Sequence, residues 1–589
     1  MPKSRHTRKG KRRAGKRKGK VIAERPCSDD GRPLSIDLAV EIIAAAAARM
    51  WPNMMETILG EVMAAAPQDV RRDGNRLDGE AAGAALNIIR SVVENLAQSE
   101  VGSHNGWAWL FYLRRLPDEL FQGRLATTAP YDEMLAVALS AAANATAELP
   151  ALDSMVAPRL DDNALRPVFR LSAFAILLSD VHSKIRRAGK GQAFILHSDQ
   201  LPESVSDPEL GLAIQLYDER READLGSALH AGTDVLSITE SGTDSWPLLM
   251  VGRVKHADRR QTVLGWAGPM MERRFIDVQG RYGPVWMTVE HLAELATFGG
   301  GQVAQWWDPA LPSFIVLLRA LSYDLIFRSR NAGLNLPRTG YLLIARDNLV
   351  QLLDFIRDSA AEDLTRLLPG AEIPATGSDI LSIVEGIRAS AWPLLAGPII
   401  RRAGEQLVID LHSAAPRMVR MLTIPGDNPH ARSRGTHFEL VVQNTIDNTP
   451  WRPPELLRQI RGRTLTRQGT KVTDVDAIGT KDDILLLASC KSISYSNEYD
   501  AGKYEVVRNV WTRLEKDKAY WDTIVRGFRD QPAGDNYDFT GYRRIEGVVI
   551  TPHVLFVHSG ALTQEAFTGA DDKPRTVSSI GELQRFLST

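Results

Sequence analysis

The chain has 589 residues and a net charge of −1; it is 44% hydrophobic and 24% charged, which is typical of a globular protein with two or three domains. It has two cysteines, no secretory signal and no run of about 20 apolar residues, so we expect neither a disulfide framework nor a membrane span. These features favour a reducing, cytoplasmic location and argue against a membrane partner.

The positive charge is concentrated at the N-terminus. Residues 1–20 carry 11 Lys and Arg and no acidic residue, while the remaining residues carry 60 basic and 72 acidic side chains. Because like charges repel one another and attract polyanions, we predict a disordered basic tail over 1–25 that contacts nucleic acid. A tail that only improves solubility would have the same composition, so both interpretations stay open.

A helical region is predicted over 35–150. Ser35 is placed to cap a helix that starts at Ile36, and apolar residues recur at helical spacing again from Ala84 to Val93. The aromatic stretch Asn105–Leu113 is interpreted as core, since only Arg114 and Arg115 supply positive charge beside it.

The middle of the chain contains a predicted internal duplication over 165–275 and 315–422. Gly232–Ile238 recurs as Gly377–Ile383 at an offset of 145 residues, and Trp246 recurs as Trp392 at an offset of 146. A nearly constant offset predicts two copies of one mixed α/β module, which would more often form a surface for a protein partner than two active sites. The alternative is a chance similarity between short apolar sequence segments.

The last predicted domain, an α/β unit over 430–589, follows a linker at Pro425–Gly435. Thr436 and Glu439 form a capping-box pattern, which places Glu439 in the first turn of a helix to about Asn444. The elements predicted after this helix are a hairpin with strands ending at Asp476 and Lys491, a helix at Asp500–Gly527, strands at Arg544–Thr551 and Val554–His558, and a terminal helix with a capping box at Ser579–Glu582.

The hairpin carries the candidate chemistry. Asp474 and Asp476 lie two residues apart, so we predict that they share one face at the end of a strand. Lys491 closes a wholly apolar strand, which is unusual because lysine is rarely buried without a partner or a function. A turn at 480–483 would bring Asp476 near Ser489 and Lys491. A carboxylate beside a lysine is what a metal-dependent phosphodiesterase needs.

These residues resemble the motifs of the PD-(D/E)xK nuclease superfamily, which has the restriction-endonuclease-like fold. Gly435-Thr436-His437-Phe438-Glu439, Asp474-x-Asp476 and Ser489-Cys490-Lys491 occur in the order of that family's helix glutamate, strand aspartate and (D/E)-x-K tripeptide. The resemblance implies that Asp476 binds Mg²⁺ or Mn²⁺, with the Cys490 carbonyl as a second ligand. It also implies that Glu439 orients a metal-bound water and that Lys491 activates the nucleophile or stabilises the transition state.

Ser489 departs from the family pattern, since an acidic residue is expected at its position. A hydroxyl can hold a ligand water but supplies no charge, so the missing charge would come from Asp474 or from Glu505. Phosphate contacts are predicted for a set of basic residues before and after the hairpin: Arg461, Arg463, Arg467, Lys471 and Arg508.

Three functions remain open at this point. The leading one is an intracellular Mg²⁺-dependent nuclease that cuts DNA, with defence against foreign DNA as an analogy-based role. The second is a nuclease fold that has lost activity and binds nucleic acid or acts as a scaffold. The third is an interaction protein whose basic tail is incidental. The sequence does not decide whether the nucleic-acid partner is DNA or RNA, nor what the oligomeric state is.

Overall fold

A computed structural model describes most of the chain, and within its described ranges the protein mixes 14 α-helices with 17 strands in several small sheets. The described residues are 36–117, 120, 148–149, 158–229, 248–253, 260–267, 272–279, 282–287, 310–325, 336, 339–367, 372–387, 398–412, 414, 417–418, 421, 431–493, 495–558 and 575–588. The predicted basic tail and the proposed Ser35 cap lie outside them. Across these ranges, the helices fall short of the length and apolar character that a membrane crossing requires.

The first helices pack around one long helix. They are α1 (Ile36–Met50), α2 (Met54–Ala65), α3 (Gly79–Val101) and α4 (Gly106–Leu113), and the long helix is α5 (Asp162–Gly189). Their apolar faces form a single core because buried residues recur three or four positions apart. The aromatic residues Trp107 and Trp109 are buried in that core, as the sequence predicted. Two-residue strands β1 (Arg76–Leu77) and β2 (Glu148–Leu149) interrupt this helical part.

Within its described residues, the middle of the chain contains small sheets and four helices. The strands are β3 (Phe194–Ile195), β4 (Glu203–Ser204), β5 (Leu248–Arg253), β6 (Arg260–Ala267), β7 (Glu272–Gln279), β8 (Tyr282–Met287), β9 (Tyr341–Ala345), β10 (Ile400–Ala403) and β11 (Gln406–Asp410). The helices are α6 (Pro208–Leu229), α7 (Leu311–Tyr323), α8 (Arg346–Leu367) and α9 (Gly377–Glu385). One four-stranded sheet has the order β2-β10-β11-β9, and α7, α8 and α9 share an apolar core with one of its faces.

The two predicted copies begin alike but pair their strands differently. Among the described elements, a helix precedes a strand in both, α5 before β3 and α7 before β9, but β4 lies between β3 and α6, whereas α8 follows β9 directly. In the second segment β9 pairs with β11, whereas in the first segment β3 pairs with β1 and β4, and β6 pairs with β7. Trp246 and Trp392 lie outside the described residues, so the duplication stays a prediction.

The C-terminal part is built around a sheet covered by helices on both faces. Its remaining elements are α10 (Ala431–Asp447), α11 (Glu455–Arg458), β12 (Thr464–Arg467), β13 (Thr470–Asp474), β14 (Ala477–Lys481), β15 (Ile484–Cys490), α12 (Asn497–Asp500), α13 (Tyr504–Asp530), β16 (Arg544–Thr551), β17 (Val577–Ser579) and α14 (Ile580–Leu587). The sheet order is β14-β15-β16-β17; β14 is antiparallel to β15, and β15, β16 and β17 are parallel.

Alternating side chains of β15 fill two separate cores. Leu486 and Ala488 pack with α10 and α14 on one face, while Leu485 and Leu487 pack with α13 on the other. The packing of α13 on β16 is close, since a Cβ added at Gly547 would lie 2.4 Å from a methyl carbon of Val525. The result is a three-layer unit whose sheet has no water-facing side over its central strands.

Helix α6 belongs to this three-layer unit, although the sequence assigned it to the first predicted module. Leu210, Ile214 and Tyr217 lie on one helical face and pack into the same core as α13. Further along α6, the buried Arg220 donates from Nε and Nη2 to the two carboxylate oxygens of Glu582 on α14, both at 2.7 Å.

The first predicted module is divided between two hydrophobic cores, because α5 packs in the core of the N-terminal helices and α6 packs in the core of the three-layer unit.

Three sequence predictions in this part need correction. Helix α10 begins at Ala431, so the predicted linker is partly helical and Glu439 lies in the middle of the helix rather than in its first turn. The stretch 554–558 forms no strand, because its apolar side chains are buried against α6 and α13 without ladder pairing. Strand β17 was missed. The capping box of Ser579 and Glu582 is present as predicted.

We expect Glu582→Gln to lower the free energy of unfolding by about 3 kcal/mol, because the buried Arg220 loses its counter-charge. The glutamine oxygen still serves the cap of α14. The change also removes the negative charge that lies 3.5 Å from Arg575 Nε, so it measures the effect of Glu582 on both arginines. Burial alone would raise the pKa of Glu582, but the hydrogen bonds and charge of Arg220 hold it below its ordinary value of 4.5. The stabilisation that the pair gives to the folded state is therefore present above pH 4.5 and lost as pH falls through the lowered pKa of Glu582. Urea melts over this pH range measure the stabilisation.

The matched control is Glu455→Gln, an exposed carboxylate 3.5 Å from Arg458. It should change the free energy of unfolding by less than about 0.5 kcal/mol. Equal effects of the two substitutions would contradict a stabilising role for the Arg220–Glu582 pair.

Candidate active site

The candidate site lies at one end of the central sheet, where β15 ends and β14 begins. Ala477 of β14 pairs with Ala488 of β15, so the residue before β14 faces the last residues of β15. That residue is Asp476, whose N–H donates to the Ala488 carbonyl at 3.2 Å. Glu439 approaches from α10, and Lys491 follows directly after β15. The structure thus gathers Glu439, Asp476, Ser489, Cys490 and Lys491 at one edge.

Asp476 is held by groups from two segments. Its Oδ2 accepts a hydrogen bond from the Cys490 N–H at 2.7 Å and one from the Ser489 hydroxyl at 3.4 Å. Arg461 donates from Nε to the Asp476 backbone carbonyl at 3.0 Å. Burial raises the pKa of Asp476 above its ordinary value of 3.8, although the Cys490 hydrogen bond and the charge of Lys491 oppose the shift. The carboxylate is fixed in place but not neutralised by its surroundings.

Glu439 is the second carboxylate of the site. It is partly buried on α10, and burial together with the charge of Asp476 raises its pKa above the ordinary value of 4.5. The positive charges of Arg461 and Lys491 act in the opposite direction. Burial raises the pKa of both Glu439 and Asp476, and the charge of Asp476 adds to the shift of Glu439. A bound cation would stabilise the ionised form of both carboxylates.

Ser489, Cys490 and Lys491 each make a different contribution. Ser489 is 7% exposed and its hydroxyl contacts Asp476, so it positions that carboxylate. The Cys490 side chain packs against the α10 core, and its backbone N–H, rather than a metal contact of its carbonyl, is the contribution that the structure describes. Lys491 anchors its own N–H on the Ile550 carbonyl of β16 at 2.8 Å, which leaves its partly buried ammonium close enough to influence both carboxylates.

Asp474 is not on the same strand face as Asp476, which corrects the sequence prediction. It ends β13, which pairs with β12 in a separate two-stranded sheet, and the chain changes sheets at Val475 and Asp476. The exposed carboxylate of Asp474 lies 3.2 Å from the Lys471 ammonium. A hydrogen bond from the Thr464 hydroxyl and the Lys471 contact lower its pKa. Asp474 is therefore paired at the surface and acts on Asp476 only through its charge.

The five basic residues predicted to contact phosphate occupy different environments. Arg467 donates from Nε to the Tyr537 hydroxyl and from Nη2 to the Gly527 and Gln531 carbonyls, so it caps the end of α13, and its contact with phosphate stays a prediction. Arg461 lies in the site itself. Arg463 and Lys471 are exposed near β12 and β13, and Arg508 is exposed on α13, 5.6 Å from the centre of the Tyr504 ring.

The donor set suits a hard divalent cation that retains several waters. Asp476 and Glu439 are the two side chains that would hold it, since Mg²⁺ is commonly bound by one or two carboxylates with water completing its shell. Within the described part of the chain, no three His, Cys, Asp or Glu side chains gather into a metal-binding group. A cation here would therefore depend on two carboxylate side chains, with water and backbone carbonyls such as that of Cys490 as its further ligands.

The comparisons with known proteins give no further guidance. No protein-family model matches the sequence, and neither a curated protein nor a solved structure matches the chain.

Sequence reasoning missed two features of the site. Arg461 was assigned to phosphate contact, but its Nε holds the backbone of Asp476. The Cys490 amide was also missed, although the hairpin register contained the signal: pairing Ala477 with Ala488 places Asp476 beside residues 489 and 490.

We expect Asp476→Asn to raise the free energy of unfolding at neutral pH in metal-free buffer. Because folding raises the pKa of Asp476, the folded protein binds more protons than the unfolded chain from about the ordinary value of 3.8 up to the raised value. Stability therefore falls as pH rises through this window, and the ionised carboxylate is destabilising above it. An amide oxygen still accepts from the Cys490 N–H. Urea melts at neutral pH test the gain.

The gain should shrink below pH 3.8, where the wild-type carboxyl is protonated in both states. Asp482→Asn is the control, because Asp482 is exposed in the hairpin turn. A clear loss of stability in Asp476→Asn at neutral pH would contradict this account of the site.

Proposed function

We propose that the C-terminal unit is a metal-dependent nuclease that hydrolyses the phosphodiester bonds of DNA. The observation that supports it most is the meeting of Lys491 with two carboxylates of raised pKa, Glu439 and Asp476, at the end of an apolar strand. Perturbed carboxylates beside a lysine are typical of sites where charge develops during a reaction. The resemblance to the PD-(D/E)xK nucleases assigns the same three residues.

In this proposal each residue has one task. Asp476, oriented by the Cys490 N–H and the Ser489 hydroxyl, supplies one carboxylate toward the cation, and Glu439 supplies the other. A bound Mg²⁺ or Mn²⁺ would polarise the phosphate and lower the pKa of a water. The Lys491 ammonium stabilises the negative charge that builds on the phosphate, or holds the attacking water. Arg461 keeps the backbone of Asp476 in position.

Contact with DNA would involve residues outside this centre. Arg463, Lys471 and Arg508 are exposed and can pair with phosphates without disturbing the core. The basic tail over 1–25 would add attraction that depends on salt but not on sequence.

The second candidate is a nucleic-acid-binding protein with an inactive nuclease fold. Ser489 favours it, because a hydroxyl stands where the family has a carboxylate, and Asp474, which could have replaced the missing charge, is paired with Lys471 at the surface. Cleavage that requires a divalent cation separates the two candidates.

We expect wild-type protein to cleave plasmid DNA with Mg²⁺ or Mn²⁺ and not with EDTA. Asp476→Asn and Lys491→Met should each lower the cleavage rate by about 100-fold or more, because each removes a charge that acts on the reacting phosphate. Binding of the same DNA without metal should change little. Gel assays of cleavage and fluorescence anisotropy of binding measure the two effects.

The matched controls are Asp482→Asn and Lys516→Met, exposed residues of the same unit. Full activity in Asp476→Asn would show that the site is elsewhere. A wild-type protein that binds DNA but cleaves none with any divalent cation would instead support the inactive fold.

Ser489→Glu tests whether the missing carboxylate limits the site. A third buried carboxylate beside Asp476 and Glu439 should lower the melting temperature in EDTA, because like charges repel at low dielectric. The same carboxylate should enlarge the rise in melting temperature caused by Mn²⁺, since charged ligands strengthen cation binding. Ser489→Gln, which has the same shape without the charge, is the control. Equal responses to Mn²⁺ in the two variants would exclude Ser489 as the limiting position.

A further inference from the structure

A second cluster of charged groups lies far from the candidate site, on the sheet β2-β10-β11-β9. Ile400, Leu407 and Ile409 on one face of this sheet belong to the core of α7, α8 and α9. Ala403 and Val408 on the opposite face belong to the core of the N-terminal helices. The sheet is therefore covered on both sides, and whatever lies on its second face is buried between two parts of the molecule.

The strand register places polar residues on that second face. Arg401 is the cross-strand partner of Val408, and Tyr341 is the partner of Asp410. Directly opposed residues share a face, and so do residues two positions apart on one strand. Arg401, Asp410 and Tyr341 therefore all point toward the N-terminal helices, from which Arg114 enters at the end of α4.

Asp410 is the carboxylate of this cluster, and its Oδ1 accepts a hydrogen bond from one of the two arginines. Arg114 donates from Nη2 to Asp410 Oδ1 at 2.6 Å, and the two side chains are almost completely buried. Arg401 is 2% exposed, and its Nε and Nη1 have no hydrogen-bond partner. Nε and Nη1 of Arg114 are also without one. Buried N–H groups of this kind are normally paired.

The charges do not balance either. Burial lowers the pKa of Arg401, and the neighbouring Arg114 lowers it further, against the effect of Asp410. His412 lies beside the Tyr282 ring, 5.3 Å between centroids. A buried positive charge without its own counterion is strongly unfavourable, so an anion entering this place would be held tightly.

We propose that Arg114 and Arg401 form a binding site for a phosphate group between the N-terminal helices and the middle sheet. The planar guanidinium fork matches the oxygens of a phosphate, and the four unpartnered N–H-bearing nitrogens supply enough donors for one. The Gly340 backbone packs closely against this cluster, since a Cβ there would lie 3.3 Å from Arg114 Nη1 and 3.0 Å from the Tyr282 ring. This site is independent of the proposed nuclease chemistry.

The test is phosphate binding to the full-length protein at constant ionic strength. Inorganic phosphate should raise the melting temperature of the wild type relative to chloride, and calorimetric titration should give a saturable isotherm. AMP and a 5′-phosphorylated trinucleotide, titrated in the same way, distinguish free phosphate from a phosphate monoester as the natural source. Phosphate released from freshly purified, denatured protein would show that the site is already filled.

Arg401→Met is the decisive variant, and Arg402→Met is its matched control. Met fills a similar volume without charge, and Arg402 is the next residue of the same strand but exposed and paired with Glu385. Arg401→Met should weaken phosphate binding by about tenfold or more, and Arg402→Met should not.

The proposal is overturned if wild-type protein neither responds to phosphate nor releases any, or if the two variants respond alike. If Arg401→Met does not fold, Arg401→Lys serves in its place, since it keeps the charge but loses the fork and should still weaken binding. The wild-type titration decides independently of both variants.

Discussion

The hydrogen bond from the Cys490 amide to Asp476 is the constraint on which the candidate site depends. It exists only in the register that pairs Ala477 with Ala488, and a slip by one residue would turn each side chain of β14 to the opposite face. The chain passes from one sheet to another just before β14, and at this break the N–H of Asp476 donates to the Ala488 carbonyl. Arg461 and Ser489 hold it from two further directions.

Buried charged side chains connect different helices of the molecule. These side chains differ in how many of their polar atoms are paired. Arg220 makes two hydrogen bonds to Glu582 that link α6 to the last helix, while its Nη1 has no hydrogen-bond partner. Lys190, at the end of α5, lies 3.4 Å from Asp218 and 4.3 Å from the centre of the Tyr217 ring, and burial lowers its pKa to about 7. Where α5 meets the loop before α13, Gly189 and Gly502 allow the backbones to touch, because a Cβ on Gly189 would lie 2.2 Å from the Gly502 carbonyl oxygen.

Local signals in the sequence predicted local structure well. The strand Arg544–Thr551 and the capping box at Ser579 agree with the structure because both depend on neighbouring residues. The approach of Asp476 to Ser489 followed from the hairpin register. By contrast, α6 has an amphipathic pattern that shows it must bury one face, but nothing in that pattern identifies a core more than 200 residues away in the sequence as its partner.

The same limit explains the errors at charged residues. Arg467 and Arg461 have the composition of a phosphate-binding stretch, yet one closes the end of α13 and the other holds the backbone of Asp476. Arginine has five N–H donors and can serve a buried carbonyl as readily as a phosphate, so its role is decided by tertiary contacts. The prediction that Asp474 and Asp476 share a strand face was wrong for a related reason. The sequence around Val475 alternates like a single strand, but the chain passes there from one sheet to another.

Finally, the two carboxylates of the candidate site lower the stability of the folded protein. Glu439 and Asp476 each have a raised pKa, so their ionised forms weaken the folded state at neutral pH, and Lys491 and Arg461 only partly offset this. The three-layer core and the Arg220–Glu582 pair supply the stability that such a site requires. If the proposed cation binds here, a serine at position 489 would reduce this conflict by one charge, which would stabilise the metal-free fold at the expense of cation affinity. The identity of residue 489 would then set the balance between the stability of the fold and the affinity for the metal.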